Sequence, residues 1–185
     1  MTVRYTFDPW SSRFTVQAFA TGLLSAFAHS PTFAIRSFAG ELQFDPDSRD
    51  AATLWITVKA DALELLDNVK PQDRAEIESR MRHEVLETTV YPAIAFESRQ
   101  IQADKVADGW YRLQIAGQFR LHGVHRSEQL GGQLKINGEE ARLSGRFGLS
   151  QSAYRIKLVS ALAGAIKVKD ALTIDFELLG REAPT

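Results

Sequence analysis

Four histidines, His29, His83, His122 and His125, are the side chains best suited to chemistry in this chain of 185 residues. His122 and His125 lie three apart across Gly123-Val124, and a turn or bulge there would bring the two imidazoles together. With His29 from another strand they would make a three-imidazole site of the kind that holds Zn, Cu or Fe. Unbroken alternation would instead point His122 and His125 to opposite faces. Buried or rim hydrogen bonds are then the competing role for His29 and His122, and His83 sits among helix charges. There is no cysteine, which removes disulfides, thiolate metal sites and a cysteine nucleophile. Arg99, Arg126 and Arg155 are candidates to meet a phosphate or carboxylate. No glycine-rich phosphate loop ending in Lys-Ser/Thr and no G-x-S-x-G elbow occurs. The acid pairs Asp45/Asp47 and Glu139/Glu140 fall in turn segments and read as solvated. The pattern points away from an enzyme, and no cofactor is expected.

The elements that would position these residues are mostly strands. From Tyr111, the residues Tyr111, Leu113, Ile115, Gly117, Phe119 and Leu121 fall on one face and Arg112, Gln114, Ala116, Gln118, Arg120 and His122 on the other. The same period-2 pattern recurs over Leu54–Val58, Ile94–Ser98, Leu143–Leu149 and Leu172–Leu178, with weaker strands expected at Arg13–Phe19, Phe33–Phe44 and Gln129–Ile136. Asp45-Pro46-Asp47-Ser48, Asp108-Gly109 and Asn137-Gly138 mark turns, and Asn137-Gly138 is the best hairpin signal. One segment, Pro71 to Thr88, changes period. Ile77, Met81 and Val85 recur every four residues, so an amphipathic helix is expected there, with Asp73 as N-cap, Glu76 completing a capping box and Pro92 returning the chain to extended structure. Together these predict an all-β single domain over residues 1–185: a closed antiparallel barrel of about eight strands with one inserted helix. Ile77, Met81 and Val85 are expected to pack that helix against the barrel.

Composition narrows the partners. A formal net charge of −1 offers no long-range attraction to phosphate backbones, so nucleic acid is not expected. No apolar run approaches the ~20 residues needed to span a bilayer, so no stable membrane insertion is expected. The opening MTVRYTFDPW lacks a basic stretch followed by an apolar core. A cytoplasmic location is therefore expected, or a periplasmic one if a leader has been removed.

Four stretches, in order along the chain, together resemble the YceI-like family. They are Phe27-Ala28-His29-Ser30 followed by Phe38-Ala39-Gly40-Glu41-Leu42-Gln43-Phe44-Asp45; Glu84-Val85-Leu86-Glu87 leading into Tyr91-Pro92-Ala93-Ile94-Ala95-Phe96-Glu97-Ser98; Gly117-Gln118-Phe119-Arg120-Leu121-His122-Gly123-Val124; and Lys169-Asp170-Ala171-Leu172-Thr173-Ile174-Asp175-Phe176-Glu177. The resemblance runs from about Tyr5 to Glu177. It departs at Val124-His125-Arg126, where the family usually has a threonine, and over Ser150–Gly164. It implies a lipocalin-like barrel with an apolar lumen that binds polyisoprenoid chains.

The expected function is to bind, sequester or transport a long apolar molecule, such as a polyisoprenoid, an isoprenoid quinone or a fatty-acid-like lipid. Candidate lumen residues are Phe14, Phe33 and Phe44 from the early strands, Ile56 and Phe96 from the middle, and Leu113, Ile115, Phe119, Phe147 and Phe176 from the later ones. His29 and His122 are the candidate polar contacts. On this basis Ile115→Trp is expected to weaken lipid retention. A filled barrel serving as a structural or interaction module, and a histidine metal protein, are the alternatives. The sequence carries no specific dimer signal, though a homodimer through an exposed face is compatible with it.

Overall fold

The computed structural model describes residues 1–21, 30–48, 52–161 and 166–183. Alternation of inward apolar and outward polar side chains makes most of it strand. In chain order these are β1 (Val3–Phe7), β2 (Arg13–Gln17), β3 (Ala20–Thr21), β4 (Thr32–Ile35), β5 (Phe38–Phe44), β6 (Thr53–Lys59), β7 (Leu63–Leu65), β8 (Ala93–Ala107), β9 (Trp110–Leu121), β10 (Val124–Asn137), β11 (Glu140–Ser150), β12 (Ser160–Ala161), β13 (Ile166–Val168) and β14 (Ala171–Glu182). Strands β1, β5, β6, β8, β9, β10, β11 and β14 neighbour one another in that order, and β14 pairs back to β1. This closes an eight-stranded antiparallel barrel, which removes every edge in that ring.

Three walls of the barrel are built from broken strands. One edge of β14 pairs first with β2, through Thr173–Gln17 to Glu177–Arg13, and then with β1, through Gly180–Phe7 to Glu182–Tyr5. The break between β1 and β2 is an Asp-Pro turn. Asp8 accepts the Trp10 amide at 2.9 Å and the Ser11 hydroxyl at 2.6 Å, and Ser12 accepts the Leu179 amide at 3.0 Å. Likewise β4 and β5 are split, as are β6 and β7 by a 3₁₀ turn at Ala60–Ala62. The halves β2, β4 and β7 flare off as an extension of the sheet, in the order β14-β2-β4-β7.

That leaves β7 with an open edge, and the helix covers it. Helix α1 (Pro71–Arg80) continues into a π turn, Met81–Val85. Glu78 accepts the Leu65 amide at 3.0 Å, while Arg74 donates to the carbonyls of Leu65 and of Asp67. Side chains thus complete the ladder where no strand does. The expected capping box does not form. The helix starts three residues earlier, with Lys70 as an N-cap that makes no side-chain cap bond and Pro71 at the first helical position. Proline pre-sets the helical φ and brings no amide to satisfy, so no side-chain cap is required at that position.

The hairpins follow the turn residues. The β9–β10 turn is His122-Gly123, with φ of 51° and 72°, the left-handed pair that matches strand twist. Asp108-Gly109 turns β8 into β9, as expected. Between β10 and β11 the turn residues are Gly138-Glu139, one step past the expected pair, with Asn137 still in the ladder opposite Glu140. Inward glycines make room for rings. A Cβ on Gly117 would lie 2.4 Å from the Phe96 ring and 2.5 Å from the Glu97 carbonyl, so only glycine lets β8 and its phenylalanine approach.

A second, three-stranded sheet, β12-β13-β3, joins the flared end. Among the described residues no helix is long and apolar enough to cross a membrane.

Candidate functional site: an apolar cavity in one half of the barrel

The inward side chains do two different things along the barrel axis. At the end bearing the β8–β9 and β10–β11 hairpins they meet and fill the interior. Leu42, Phe44, Leu134, Ala141, Leu143 and Leu178 show no solvent exposure, and the Phe44 and Tyr111 rings meet edge-on at 4.8 Å. Toward the flared end the walls diverge and the same alternating set encloses a cavity of about 400 Å³. Leu54, Ile115, Leu130 and Leu143 form its floor by virtue of their place next to the filled half. Its volume falls within the ~300–1,000 Å³ of small-molecule sites.

Eight of the ten apolar candidates line this space. Phe14 and Phe33 come from β2 and β4, and Ile56 and Phe96 are paired directly across β6 and β8. Ile115 and Phe119 come from β9, and Phe147 and Phe176 from β11 and β14. The rings form a chain of edge contacts: Phe119 with Phe147, Phe147 with Phe176, and Phe176 with Phe14, each pair 6.3–6.4 Å apart. Phe44 and Leu113 lie elsewhere. Both face inward, as alternation demands, but at the filled end, where opposing walls are in contact. Ile115 is on the floor and 1% exposed. A tryptophan there would push into packed side chains as much as into the cavity.

Among the described residues no histidine lines the cavity. His122 sits in the β9–β10 turn, 9% exposed, with its ring 4.3 Å from that of Tyr91. Its Nε2 donates to Glu87 at 2.7 Å, and its Nδ1 is buried without a partner. The turn's left-handed φ takes the side chain out of the alternating wall and onto the helix exit, where Glu87 is also left-handed at 45°. His125 is exposed. Among the described residues no group of three His, Cys, Asp or Glu side chains is placed to hold a metal. His29 lies outside the described residues.

The helix contributes more than expected. Ile77, Met81 and Val85, read from the sequence as packing residues, line the cavity together with Leu86. Their four-residue spacing gave the apolar stripe, but only the gap beside β7 explains why that stripe faces a cavity. Ile94, Leu149, Leu172 and Ile174 also line it. They belong to the same alternating sets as Phe96, Phe147 and Phe176, so their spacing was the signal. The polar lining residues are Arg80, Gln151 and Lys167, none of them singled out by the sequence. Arg99 instead donates to Gln118 on the outer wall at 2.9 Å, and Arg126 and Arg155 are exposed outside the cavity lining.

A 3₁₀ turn, Ser152–Tyr154, lies between two lining residues, Gln151 and Ile156. Tyr154 is fully buried, packs edge-on to Phe119 at 5.7 Å and donates its hydroxyl to Glu128 at 2.6 Å. Burial, then the bond to the Glu128 carboxylate, holds the phenol well above its ordinary value near 10. Because the folded value is raised, this contribution is complete below pH ~10 and is lost as pH climbs above it. Tyr154→Phe is therefore expected to cost about 1 kcal/mol at neutral pH and to flatten the alkaline fall in stability. Denaturant melts across pH 8–12 check this: an alkaline limb as steep as that of the parent protein would refute it.

The comparisons with known proteins agree with this geometry. The family model described as the YceI-like domain matches residues 5–179. No curated protein matches the sequence. Among solved structures, BcnA of Burkholderia cenocepacia is 16% identical, with a TM-score of 0.74 over 94% of this chain and 98% of that one. A polyisoprenoid binding domain from Saccharophagus degradans, implicated in plant cell wall breakdown, is 12% identical, with a TM-score of 0.69 over 98% of this chain and 99% of that one. The YceI protein of Campylobacter jejuni is 13% identical, with a TM-score of 0.63 over 81% of this chain and 84% of that one. The structural likenesses show the lipocalin-like fold, and the family match spans nearly the whole sequence: the chain belongs to the YceI-like domain family.

Proposed function

We propose that this protein binds a long apolar molecule, of the polyisoprenoid or fatty-acid-like kind, in the hollow half of its barrel and holds or carries it away from water. The observation that carries this reading is the cavity itself: about 400 Å³, walled by the phenylalanines and aliphatic residues named above and open at one end. Burial of a hydrocarbon chain contributes about 0.8 kcal/mol per methylene. Ten methylenes thus bring roughly 8 kcal/mol before entropic losses, without any precise polar contact. The polyisoprenoid-binding domain with the same fold supports the choice of ligand class. Phe14, Phe33, Ile56, Phe96, Phe119, Phe147 and Phe176 would touch the chain, Ile115 would meet its tip, and Ile77, Met81 and Val85 would cover it from the helix side. No catalytic role is assigned.

The test is organic extraction of the purified protein followed by mass spectrometry, paired with titration of a fluorescent fatty acid. A stoichiometric long-chain lipid, or saturable binding of the probe, is expected. Protein free of lipid that also fails to bind the probe would leave the barrel as a scaffold without a guest.

A further inference from the structure

We infer that the molecule held here is a single-chain amphiphile with an anionic head group, carboxylate or phosphate, seated where the cavity meets water. This rests on the proposal that the cavity holds an apolar chain, and it concerns only the end of that chain. The polar lining residues are two cations and an amide, with no carboxylate among them. Their placement is graded. Gln151 is 4% exposed and its amide nitrogen is engaged with the Lys169 carbonyl at 2.8 Å. The Arg80 side chain is 36% exposed and Lys167 is exposed. Both cationic residues thus line the cavity and also reach solvent, one on the helix that covers the cavity and one on β13 of the small sheet.

Among the described residues, neither cation is held by a short or buried ion pair. Arg80 holds Glu84, one helical turn on, through Nε and Nη2 at 3.3 Å, a long and half-exposed contact that is weak by its nature. Lys167 pairs with Ser160 and Thr21 through its backbone. Among the described residues its ammonium makes no ion pair. The chain as a whole carries a formal charge of −1, so a cavity lining with two cations and, among the described residues, no carboxylate is a local departure from its composition, Glu84 approaching only through Arg80. Low-dielectric walls strengthen the field of rim charges on a head group beside them. A neutral alcohol or ester would gain little from them. A carboxylate or phosphate gains charge-assisted hydrogen bonds without having to enter the apolar part.

The experiment compares matched pairs on the whole protein by calorimetry or probe displacement: lauric acid against dodecanol, and farnesyl phosphate against farnesol. The charged member of each pair is expected to bind about tenfold more tightly, the scale of one charge-assisted hydrogen bond at a half-exposed site. That advantage is expected to shrink in ~1 M salt. It should also fall to within about twofold in the Arg80→Gln/Lys167→Gln variant, with the alcohols binding as before. Glu84→Gln, which frees Arg80, is expected to widen it. The larger gain between the two acids tells whether carboxylate or phosphate suits the rim. Equal binding of acid and alcohol overturns the head-group inference while the apolar cavity stands as a binding site. Failure of all four to bind overturns the cavity reading as well.

Discussion

Ile174→Trp is expected to lower affinity for a long-chain lipid by about a hundredfold while shifting the melting temperature by only a few degrees. Ile174 lies midway along the hollow half, paired with Phe147 on one side and Val16 on the other, all three lining the cavity. An indole there extends into empty space rather than into packed neighbours, so it removes room from the ligand without straining the wall. Displacing three or four methylenes at ~0.8 kcal/mol each amounts to roughly 3 kcal/mol, or about two orders of magnitude. The same substitution at Ile115, suggested by alternation alone, is a poorer probe because that side chain rests on the filled half. Titration with a fluorescent fatty acid, alongside a thermal melt, decides the matter. An unchanged dissociation constant in a folded Ile174→Trp protein would mean that the chain does not run past this point.

Leu113→Ala should cost about 3 kcal/mol and lower the melting temperature by on the order of 10 °C, yet leave lipid affinity intact in the protein that remains folded. Leu113 is 1% exposed and sits opposite Gly132 and Ala103, where the two sides of the barrel already touch. Truncating it opens a void that its neighbours cannot close. Leu172→Ala is the control. Leu172 is only half-buried and already faces the cavity, so the missing atoms enlarge an existing space and cost about 1 kcal/mol. A small loss at Leu113, or equal losses at the two positions, would contradict the division of the barrel into a filled and a hollow half.

Much of the architecture could be read in advance. Eleven residues of near-perfect alternation from Tyr111 specify β9 and its inward face, and Asp108-Gly109 and Asn137-Gly138 place two hairpins within a residue. The switch from period 2 to period 3.6 at Pro71 locates the helix. The breaks in β4–β5 and β6–β7 were not legible, because they answer to the flare of the assembled sheet and not to local propensity, whereas the β1–β2 break has a local signal in Asp8-Pro9 that the strand pattern alone passes over. The helix's start was misplaced for a related reason: Asp73 and Glu76 match a capping box locally, but α1 begins where β7 needs its edge covered by Arg74 and Glu78. The residue type of His122 suggests a ligand contact, whereas the tight turn it occupies carries it away from the cavity toward Glu87.

Sequence periodicity by itself determined which side chains face inward, because in a strand that direction depends only on whether a residue's position is odd or even. Four short stretches in order, not the periodicity, carried the resemblance to the family, and the family model over residues 5–179 bears it out. The tertiary structure alone decided at what height each inward side chain lies and what stands opposite it. That depends on strand tilt, on the stagger between neighbours and on closure of β14 onto β1, all of which join residues distant in the chain. So Phe44 and Phe176, alike in type and alternation, end in different places: one where the walls meet and pack solid, the other where they diverge and leave room for a guest.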